Sequence, residues 1–187
     1  MSKSTIPSSR SDDARQANDI ELQIRDEQPS DIEAINRITK AAFANQPYSS
    51  HTEQFIVAAL REAGQLTLSL VALKGDEVIG HVAVSPVTLS SGDTGWHGLG
   101  PISVAPTHQQ HGIGSALMRA AIARLQAMGS AGCVLLGEPA YYARFGFRAD
   151  PALVLPGVPA EYFQLLSFSG EPPVAQVRYH DAFEATA

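Results

Sequence analysis

The segment 98–128 constrains the fold of this chain more than any other. An apolar run over 96–104 has the character of a β-strand, but two glycines and a proline interrupt it. Such interruptions are typical of a β-bulge or of a close approach by another backbone. A glycine-containing loop follows at 109–114, and apolar residues then recur at helical spacing over 113–128. The segment therefore predicts an irregular strand, a tight loop and an amphipathic helix in direct succession.

The loop and the start of this helix have the features of an anion-binding site. The first N–H groups of a helix have no intrahelical partner, and the helix dipole favours negative charge beside them. Gly112 and Gly114 have no Cβ, so a phosphate can approach the backbone closely. Two common nucleotide motifs do not fit, because no lysine follows the loop and Leu117 stands where a dinucleotide fingerprint has its third glycine.

The distribution of charge agrees with a small anionic ligand. The chain of 187 residues has a net charge of −6. Residues 100–149, however, contain four arginines and a single acidic residue, Glu138, so this stretch is locally basic within an acidic protein. An acidic protein with one basic segment argues against general nucleic-acid binding, and we expect no nucleic-acid partner.

The composition indicates one domain with a sizeable core. Hydrophobic residues make up 44% of the chain and charged residues 17%, which excludes disorder of the whole. There is no apolar run long enough to cross a membrane and no apolar core of a secretory signal near the N-terminus, so we expect a cytoplasmic protein without a membrane partner. The single cysteine, Cys133, excludes an internal disulfide and is expected to be a buried small residue. We expect a disordered tail over 1–20 and a single domain over 21–187.

Around the central segment the periodicity predicts an α/β fold with a mixed sheet. Two helices are expected to begin at capping boxes, Ser30 with Glu33 and Ser50 with Glu53. A short helix is expected to end at Gly146. Strands are expected at 22–25, 66–73, 78–89, 96–104, 133–136, 162–168 and 174–180.

The spacing of Gln109, Gly112 and Gly114 resembles the pyrophosphate-binding signature Q/R-x-x-G-x-G/A of the GCN5-related N-acetyltransferases. The run 98–106 is similar to that family's fourth strand, and Tyr142–Phe147 matches its Y-x-x-x-G-F element. The resemblance covers about 22–168, and the run 137–147 looks most like the bacterial YhbS-type branch of predicted N-acetyltransferases. It implies a mostly antiparallel central sheet flanked by helices and splayed between the fourth and fifth strands.

The resemblance also implies a function and a set of site residues. Acetyl-CoA would be the co-substrate, with no metal, and its acetyl group would pass directly to an amine of a small molecule or a protein within a ternary complex. The pantetheine arm would lie along Ile102, Ser103 and Val104. The pyrophosphate would lie on the loop, whose candidate ligands are Gln109, Gln110, His111, Gly112, Ile113, Gly114 and Ser115.

The chemistry needs an acid, an oxyanion donor and a base. Tyr142 matches the family's general acid, and Tyr141 next to it is the alternative; a backbone N–H near Val104 would stabilise the oxyanion. Many relatives use a glutamate on the fourth strand as the base, but 98–106 contains no acid. A chain of water molecules, Glu138, His97 and His81 remain as alternatives, and a non-catalytic acetyl-CoA sensor is the rival function.

Three further expectations concern metal, acceptor and partner. His108 and His111 lie three residues apart but have no third ligand nearby, so no metal site is expected. The amine acceptor would bind around 43–55 and 150–170. The large residues there either line a pocket or, for most of them, fill the core: Phe43, Tyr48, His51, Tyr162, Phe163 and Phe168. Exposed strand edges at 174–180 would allow a homodimer.

Overall fold

The computed structural model describes residues 21–47 and 49–187, so the expected tail over 1–20 and Tyr48 lie outside the described residues. The α-helices in this part of the chain are α1 (Ile32–Phe43), α2 (Glu53–Glu62), α3 (Ile113–Ala127) and α4 (Pro139–Tyr142). The strands are β1 (Leu22–Asp26), β2 (Leu68–Lys74), β3 (Glu77–Pro86), β4 (Thr88–Leu89), β5 (Trp96–Val104), β6 (Gly132–Leu136), β7 (Leu153–Val154), β8 (Phe163–Ser167) and β9 (Ala175–Arg178). The strand expected over 78–89 is interrupted at Val87, which separates β3 from β4.

The central sheet has six strands in the order β1-β2-β3-β5-β6-β8. All neighbours are antiparallel except β5 and β6, which are parallel. These two strands pair only from Trp96 to Gly98 on β5, opposite Gly132 to Val134 on β6, and then separate. The predicted mixed, mostly antiparallel sheet with a splay between these strands is confirmed.

The irregularity expected in β5 lies where the strands begin to separate. Val84 of β3 lies opposite Leu99, whereas Val82 lies opposite Ile102. Two steps along β3 therefore match three steps along β5, so β5 contains one extra residue and bulges at Gly100–Pro101. The bulge frees the second half of β5 from its parallel neighbour.

Helices cover both faces of this sheet, as the alternation along β2 requires. Leu70 and Ala72 pack in the cluster that contains α3, together with Leu117 and Leu125. Val71 lies in the cluster on the opposite face, against α1 and α2. Both sides of β2 are buried, which explains why its sequence from Leu68 to Leu73 is apolar except for Ser69.

Gly80 of β3 lets α3 approach the sheet closely. A Cβ at this position would lie 3.0 Å from Leu117 Cδ1 and 3.1 Å from Ile113 Cγ2. Because Gly80 lies opposite Val104, the first turn of α3 is held beside the C-terminal end of β5. The apolar spacing over 113–128 predicts a buried stripe from Leu117 to Met128. Leu117 is buried as predicted, but the prediction is wrong for Met128, which is 55% exposed because the helix ends at Ala127 and the chain turns away at Gly129.

The two predicted capping boxes do not form. The first helix is preceded by a 3-10 turn in which Asp31, not Ser30, accepts a hydrogen bond from the Gln28 N–H at 2.7 Å. Before the second, the Ser50 hydroxyl lies 2.7 Å from the Thr52 hydroxyl rather than bonding to the helix. The helix positions were predictable from periodicity, whereas the polar groups that begin them depend on the neighbouring chain.

A second sheet removes the edge on which the homodimer was predicted. Its three strands have the order β4-β9-β7, so β9 has a neighbour on each side. The 174–180 edge is therefore covered within the chain. Among the described residues, no helix combines the length and apolar character needed to cross a membrane.

Candidate active site

A cleft of about 520 Å³ opens where β5 and β6 separate. The second half of β5, the loop before α3, the first turn of α3, α4 and the end of α1 surround it. The lining residues are Ala42, Phe43, Gln46, Ile102, Ser103, Val104, His108, Gln109, Gln110, Gly112, Ile113, Gly114, Ser115, Tyr141, Tyr142 and Arg144.

The cleft brings together all the predicted site residues except His111. The His111 ring nitrogen Nδ1 lies 2.7 Å from the Gln109 carbonyl oxygen. This side chain lines a separate surface depression together with Leu22 and Lys74. The structure therefore places His111 outside the cleft.

The backbone of β5 directs polar groups toward the cleft. The Ala105 N–H donates to the Ile79 carbonyl of β3 at 2.9 Å. Because successive residues of a strand point their N–H and C=O groups to opposite sides, those of Val104 and Ile102 point away from β3 and toward the cleft. The Gln109 side chain donates to the Val104 carbonyl at 3.1 Å and fixes the loop to the strand end.

The loop before α3 has the conformation of an anion-binding nest. Gln110 and Gly112 have φ values of 65° and 80°, in the left-handed region, on either side of His111. Alternation of left- and right-handed residues turns successive N–H groups toward one concave side, and the free N–H groups of the first turn of α3 add to them. A Cβ at Gly112 would have no protein atom within 4 Å, so the space beside the loop is open. This geometry fits a phosphate group.

The two tyrosines of α4 occupy different parts of the cleft wall. The Tyr141 hydroxyl lies at the first turn of α3, 3.3 Å from where a Gly114 Cβ would be, and the Arg144 guanidinium lies over its ring. The Tyr142 ring lies against Gly137 at the end of β6, where a Cβ would overlap it. Tyr141 thus faces the phosphate loop, and Tyr142 stands deeper along the gap between the strands.

Burial, with a smaller contribution from Tyr141, raises the pKa of Tyr142 to about 12. The hydroxyl therefore keeps its proton throughout the physiological pH range. It can donate a hydrogen bond to negative charge that develops in the cleft.

None of the three side chains considered as the base lines the cleft. Glu138 is exposed just before α4. His97 lies at the start of β5, where its Nδ1 is 2.8 Å from the Ser130 hydroxyl, and burial lowers the pKa of this histidine. His81 is fully buried on the face of the sheet that α1 and α2 cover.

The arginines of the basic segment are dispersed rather than gathered at the cleft. Arg144 lines it, whereas Arg124 is paired with Asp26 at 2.9 Å and Arg148 with Asp150 at 3.0 Å. Arg119 lies over the Phe145 ring. Of the four arginines in the basic segment, only Arg144 is therefore in a position to contact an anionic ligand in the cleft. Its spacing of three residues from Tyr141 was the sequence signal that could have identified it.

The acceptor-region residues divide between the cleft and the core. Phe43 lines the cleft, and its carbonyl oxygen lies 2.9 Å from Nδ1 of the exposed His51. Phe163 is buried and Phe168 packs against the main core, as expected for most of this set, whereas Tyr162 is exposed. Gln46, within the predicted acceptor region, and His108, in the predicted phosphate loop, also line the cleft, whereas Ala42 was not identified from the sequence.

Cys133 is buried, as expected from its apolar surroundings in the sequence. Burial raises the pKa of the Cys133 thiol to about 12, so it stays a protonated, apolar group. Within residues 21–47 and 49–187, no group of three or more histidine, cysteine, aspartate or glutamate side chains is arranged to hold a metal ion.

The model of the acetyltransferase (GNAT) domain matches residues 23–149. This chain belongs to the GNAT family. The uncharacterized N-acetyltransferase YhbS of Escherichia coli K12 is 38% identical over 128 residues, which cover 68% of this chain and 74% of that protein. These matches confirm the resemblance to the GCN5-related N-acetyltransferases that was inferred from Gln109, Gly112 and Gly114. They also confirm the resemblance to the YhbS-type branch.

Two solved GNAT structures are similar over most of the chain. A GNAT acetyltransferase from Brucella melitensis, in complex with acetyl-CoA, has a TM-score of 0.79 and 46% identity, and the match covers 88% of this chain and 99% of that one. The YhbS N-acetyltransferase from Escherichia coli, in complex with CoA, has a TM-score of 0.80 and 30% identity, with coverage of 99% and 98%.

Proposed function

We propose that this GNAT protein transfers the acetyl group of acetyl-CoA directly to an amine of a small molecule or a protein. The observation that carries the proposal is the cleft between the separated strands β5 and β6, which ends at the phosphate-sized nest before α3. A long ligand with an anionic end and an extended amide-containing arm matches both parts. The two similar GNAT structures were determined with acetyl-CoA and with CoA, which supports this choice of ligand.

Each wall of the cleft has a role in this proposal. The loop over 109–115 holds the pyrophosphate through backbone N–H groups, while Gln109 fixes the loop to β5. Ile102 and Val104 offer backbone groups to the amides of the pantetheine arm, which takes the place of a neighbouring strand. The Val104 N–H is then well placed to stabilise the oxyanion of the tetrahedral intermediate.

Tyr142 is proposed to donate a hydrogen bond to the departing thiolate. Its pKa of about 12 keeps the phenol protonated, but it also exceeds the pKa of a thiol, which is about 8.5. Full proton transfer from tyrosine to thiolate is therefore uphill. Tyr142 acts by partial donation while the charge develops.

Direct transfer is favoured over an acetyl-enzyme intermediate by the position of Cys133. The thiolate is the nucleophilic form of cysteine, and burial holds this thiol protonated and away from the cleft lining. A ternary complex of enzyme, acetyl-CoA and amine is therefore the proposed arrangement.

Thiol release from acetyl-CoA in the presence of an amine library tests the activity, and calorimetric titration with CoA tests binding in parallel. We expect CoA binding together with amine-dependent thiol release. Intersecting initial-velocity lines would support the ternary complex, whereas parallel lines would indicate an acetyl-enzyme. Binding without turnover for any amine would favour the acetyl-CoA sensor.

A further inference from the structure

The guanidinium of Arg144 is held in place by Tyr141. The Arg144 Nε donates a hydrogen bond to the Tyr141 carbonyl oxygen at 2.9 Å, and the guanidinium carbon lies 4.4 Å from the centroid of the Tyr141 ring. Stacking on an aromatic face fixes the plane of a guanidinium, and a bond from Nε fixes its rotation. This contact uses Nε, so the edge of the fork that carries the two terminal nitrogens is directed elsewhere.

Arg144 has no carboxylate partner in the part of the chain that the structure describes. The single acidic residue between positions 100 and 149, Glu138, precedes α4, whereas Arg144 follows it. Arg144 nevertheless lines the cleft. A fixed cation that lines a cleft and has no counter-ion is suited to bind an anionic group of the ligand.

Arg144 lies beside the phosphate nest rather than in it. The Tyr141 hydroxyl reaches the first turn of α3, 3.3 Å from where a Gly114 Cβ would be, whereas the guanidinium lies over the ring of the same tyrosine. The Tyr141 side chain therefore offsets the guanidinium from the loop. The nest supplies its own backbone N–H groups to a phosphate, so the offset cation is available for a second one.

Coenzyme A has such a second phosphate. Besides the pyrophosphate it carries a phosphate monoester on the 3′ carbon of its ribose, one sugar ring away. The second pKa of a phosphate monoester is about 6, so this group has nearly two negative charges at pH 7 and several oxygens for a guanidinium fork. In the proposed binding mode the pantetheine arm runs from the nest toward Tyr142, and the ribose leaves the pyrophosphate at its other end.

We propose that Arg144 binds the 3′-phosphate of coenzyme A and thereby makes this protein select CoA over dephospho-CoA, which lacks only that group. The inference rests on the proposed binding of acetyl-CoA in the cleft. Tyr141 sets the plane and the rotation of the guanidinium, and the terminal nitrogens donate to the phosphate oxygens. Arg144 is thus a specificity-determining residue and takes no part in acetyl transfer.

Arg119 of α3 provides a matched control. Its guanidinium carbon lies 5.1 Å from the centroid of the Phe145 ring, and it too has no carboxylate partner among the described residues. Arg119 therefore shares with Arg144 the charge, the exposure and the aromatic contact, but it does not line the cleft. Replacing either arginine changes the net charge equally, so a difference between the variants measures direct contact rather than the general field.

Calorimetric titration with CoA and with dephospho-CoA tests the proposal without turnover. The wild type should bind CoA about 10- to 100-fold more tightly, the range expected for hydrogen bonds to a charged group. In Arg144→Gln, CoA affinity should fall by about the same factor, while dephospho-CoA affinity stays within about twofold of wild type. Arg144→Lys should keep only part of the preference, because an ammonium retains the charge but not the planar fork. Arg119→Gln should keep all of it.

Kinetics supply a second readout once an acceptor is known. Arg144→Gln should raise KM for acetyl-CoA at unchanged kcat, because the 3′-phosphate contact is the same in the ground state and the transition state. A fall in kcat at constant KM would place Arg144 in the chemistry and overturn the proposal.

Three binding results would also overturn it. These are equal affinity of the wild type for the two ligands, equal losses for both ligands in Arg144→Gln, which would indicate a pyrophosphate contact, and a preference that Arg119→Gln removes as fully. Failure of the proposed function looks different. If CoA does not bind at all, both proposals are overturned. If the preference depends on Arg144 but no amine releases thiol, the 3′-phosphate site stands and only the acetyl transfer is refuted.

Discussion

Replacing Gly112 by valine tests the phosphate nest directly, and α3 provides its own control. Gly112 begins the helix with a φ of 80°, and Gly129 follows its end with a φ of 75°. A Cβ at either position would have no protein atom within 4 Å. Gly112→Val and Gly129→Val therefore impose the same kind of backbone strain in open space, but only Gly112 lines the cleft.

The expected magnitudes follow from this pairing. A side chain in the left-handed region costs roughly 1–2 kcal/mol, so both variants should lose about that much free energy of unfolding and remain folded. At Gly112 the valine side chain would also occupy the space beside the N–H groups of the nest. A hydrogen bond to a charged group contributes about 1.5–3 kcal/mol, so losing one or two of them should weaken CoA binding by about 3 kcal/mol, or roughly 100-fold.

The assay is calorimetric titration with CoA, beside urea unfolding of each variant. We expect Gly112→Val to lose affinity and Gly129→Val to bind as the wild type does, with similar losses of stability. Unchanged affinity in a folded Gly112→Val protein would refute the assignment of the pyrophosphate to this loop. An equal loss of affinity in Gly129→Val would mean that helix stability, and not the nest, governs binding.

Three further predictions concern the tyrosines, the buried histidine and the core. Tyr142→Phe should lower kcat about 10²-fold at unchanged CoA affinity, because only partial proton donation is lost. Tyr141→Phe should leave kcat nearly unchanged, and the reverse result would exchange the roles of the two tyrosines. His81 has a native pKa of about 4 against about 6.5 unfolded, so the unfolded state binds more protons between these values. The contribution of neutral, buried His81 to the free energy of unfolding is therefore fully present above pH 6.5 and is lost as the pH falls. By urea unfolding, the wild type should lose about 3 kcal/mol of stability relative to His81→Gln between pH 7 and pH 4. Leu117→Ala, at a fully buried position, should cost about 2–5 kcal/mol in the same assay at pH 7, and a loss under about 1 kcal/mol would contradict its place in the core.

The phosphate loop and its flanking elements were predictable because their signals are local. The bulge at Gly100–Pro101 and the turn at Gly112 reflect conformations that glycine and proline favour, whatever the rest of the chain does. The apolar spacing that begins at Ile113 likewise defines α3 and its buried face without reference to a partner. These features were sufficient to recognise the family.

The directions of individual side chains were decided by the tertiary structure. His111 turns away from the cleft after the left-handed Gln110, and Arg144 turns into it beside Tyr141. Both outcomes depend on how the loop and α4 meet in space. The free strand edge expected at 174–180 is absent for the same reason, because strand β9 obtains its two neighbours from distant parts of the chain.

The sequence by itself determined the order of the elements, the break in β5 and the backbone of the anion site, since these depend on residues a few positions apart. Only the tertiary structure placed Ser69, His81 and Ser103 side by side, together with Glu27. They come from three strands and the segment after a fourth, separated by up to 76 positions along the chain. The register of antiparallel pairing brings them together, and no periodicity within any one segment encodes that register.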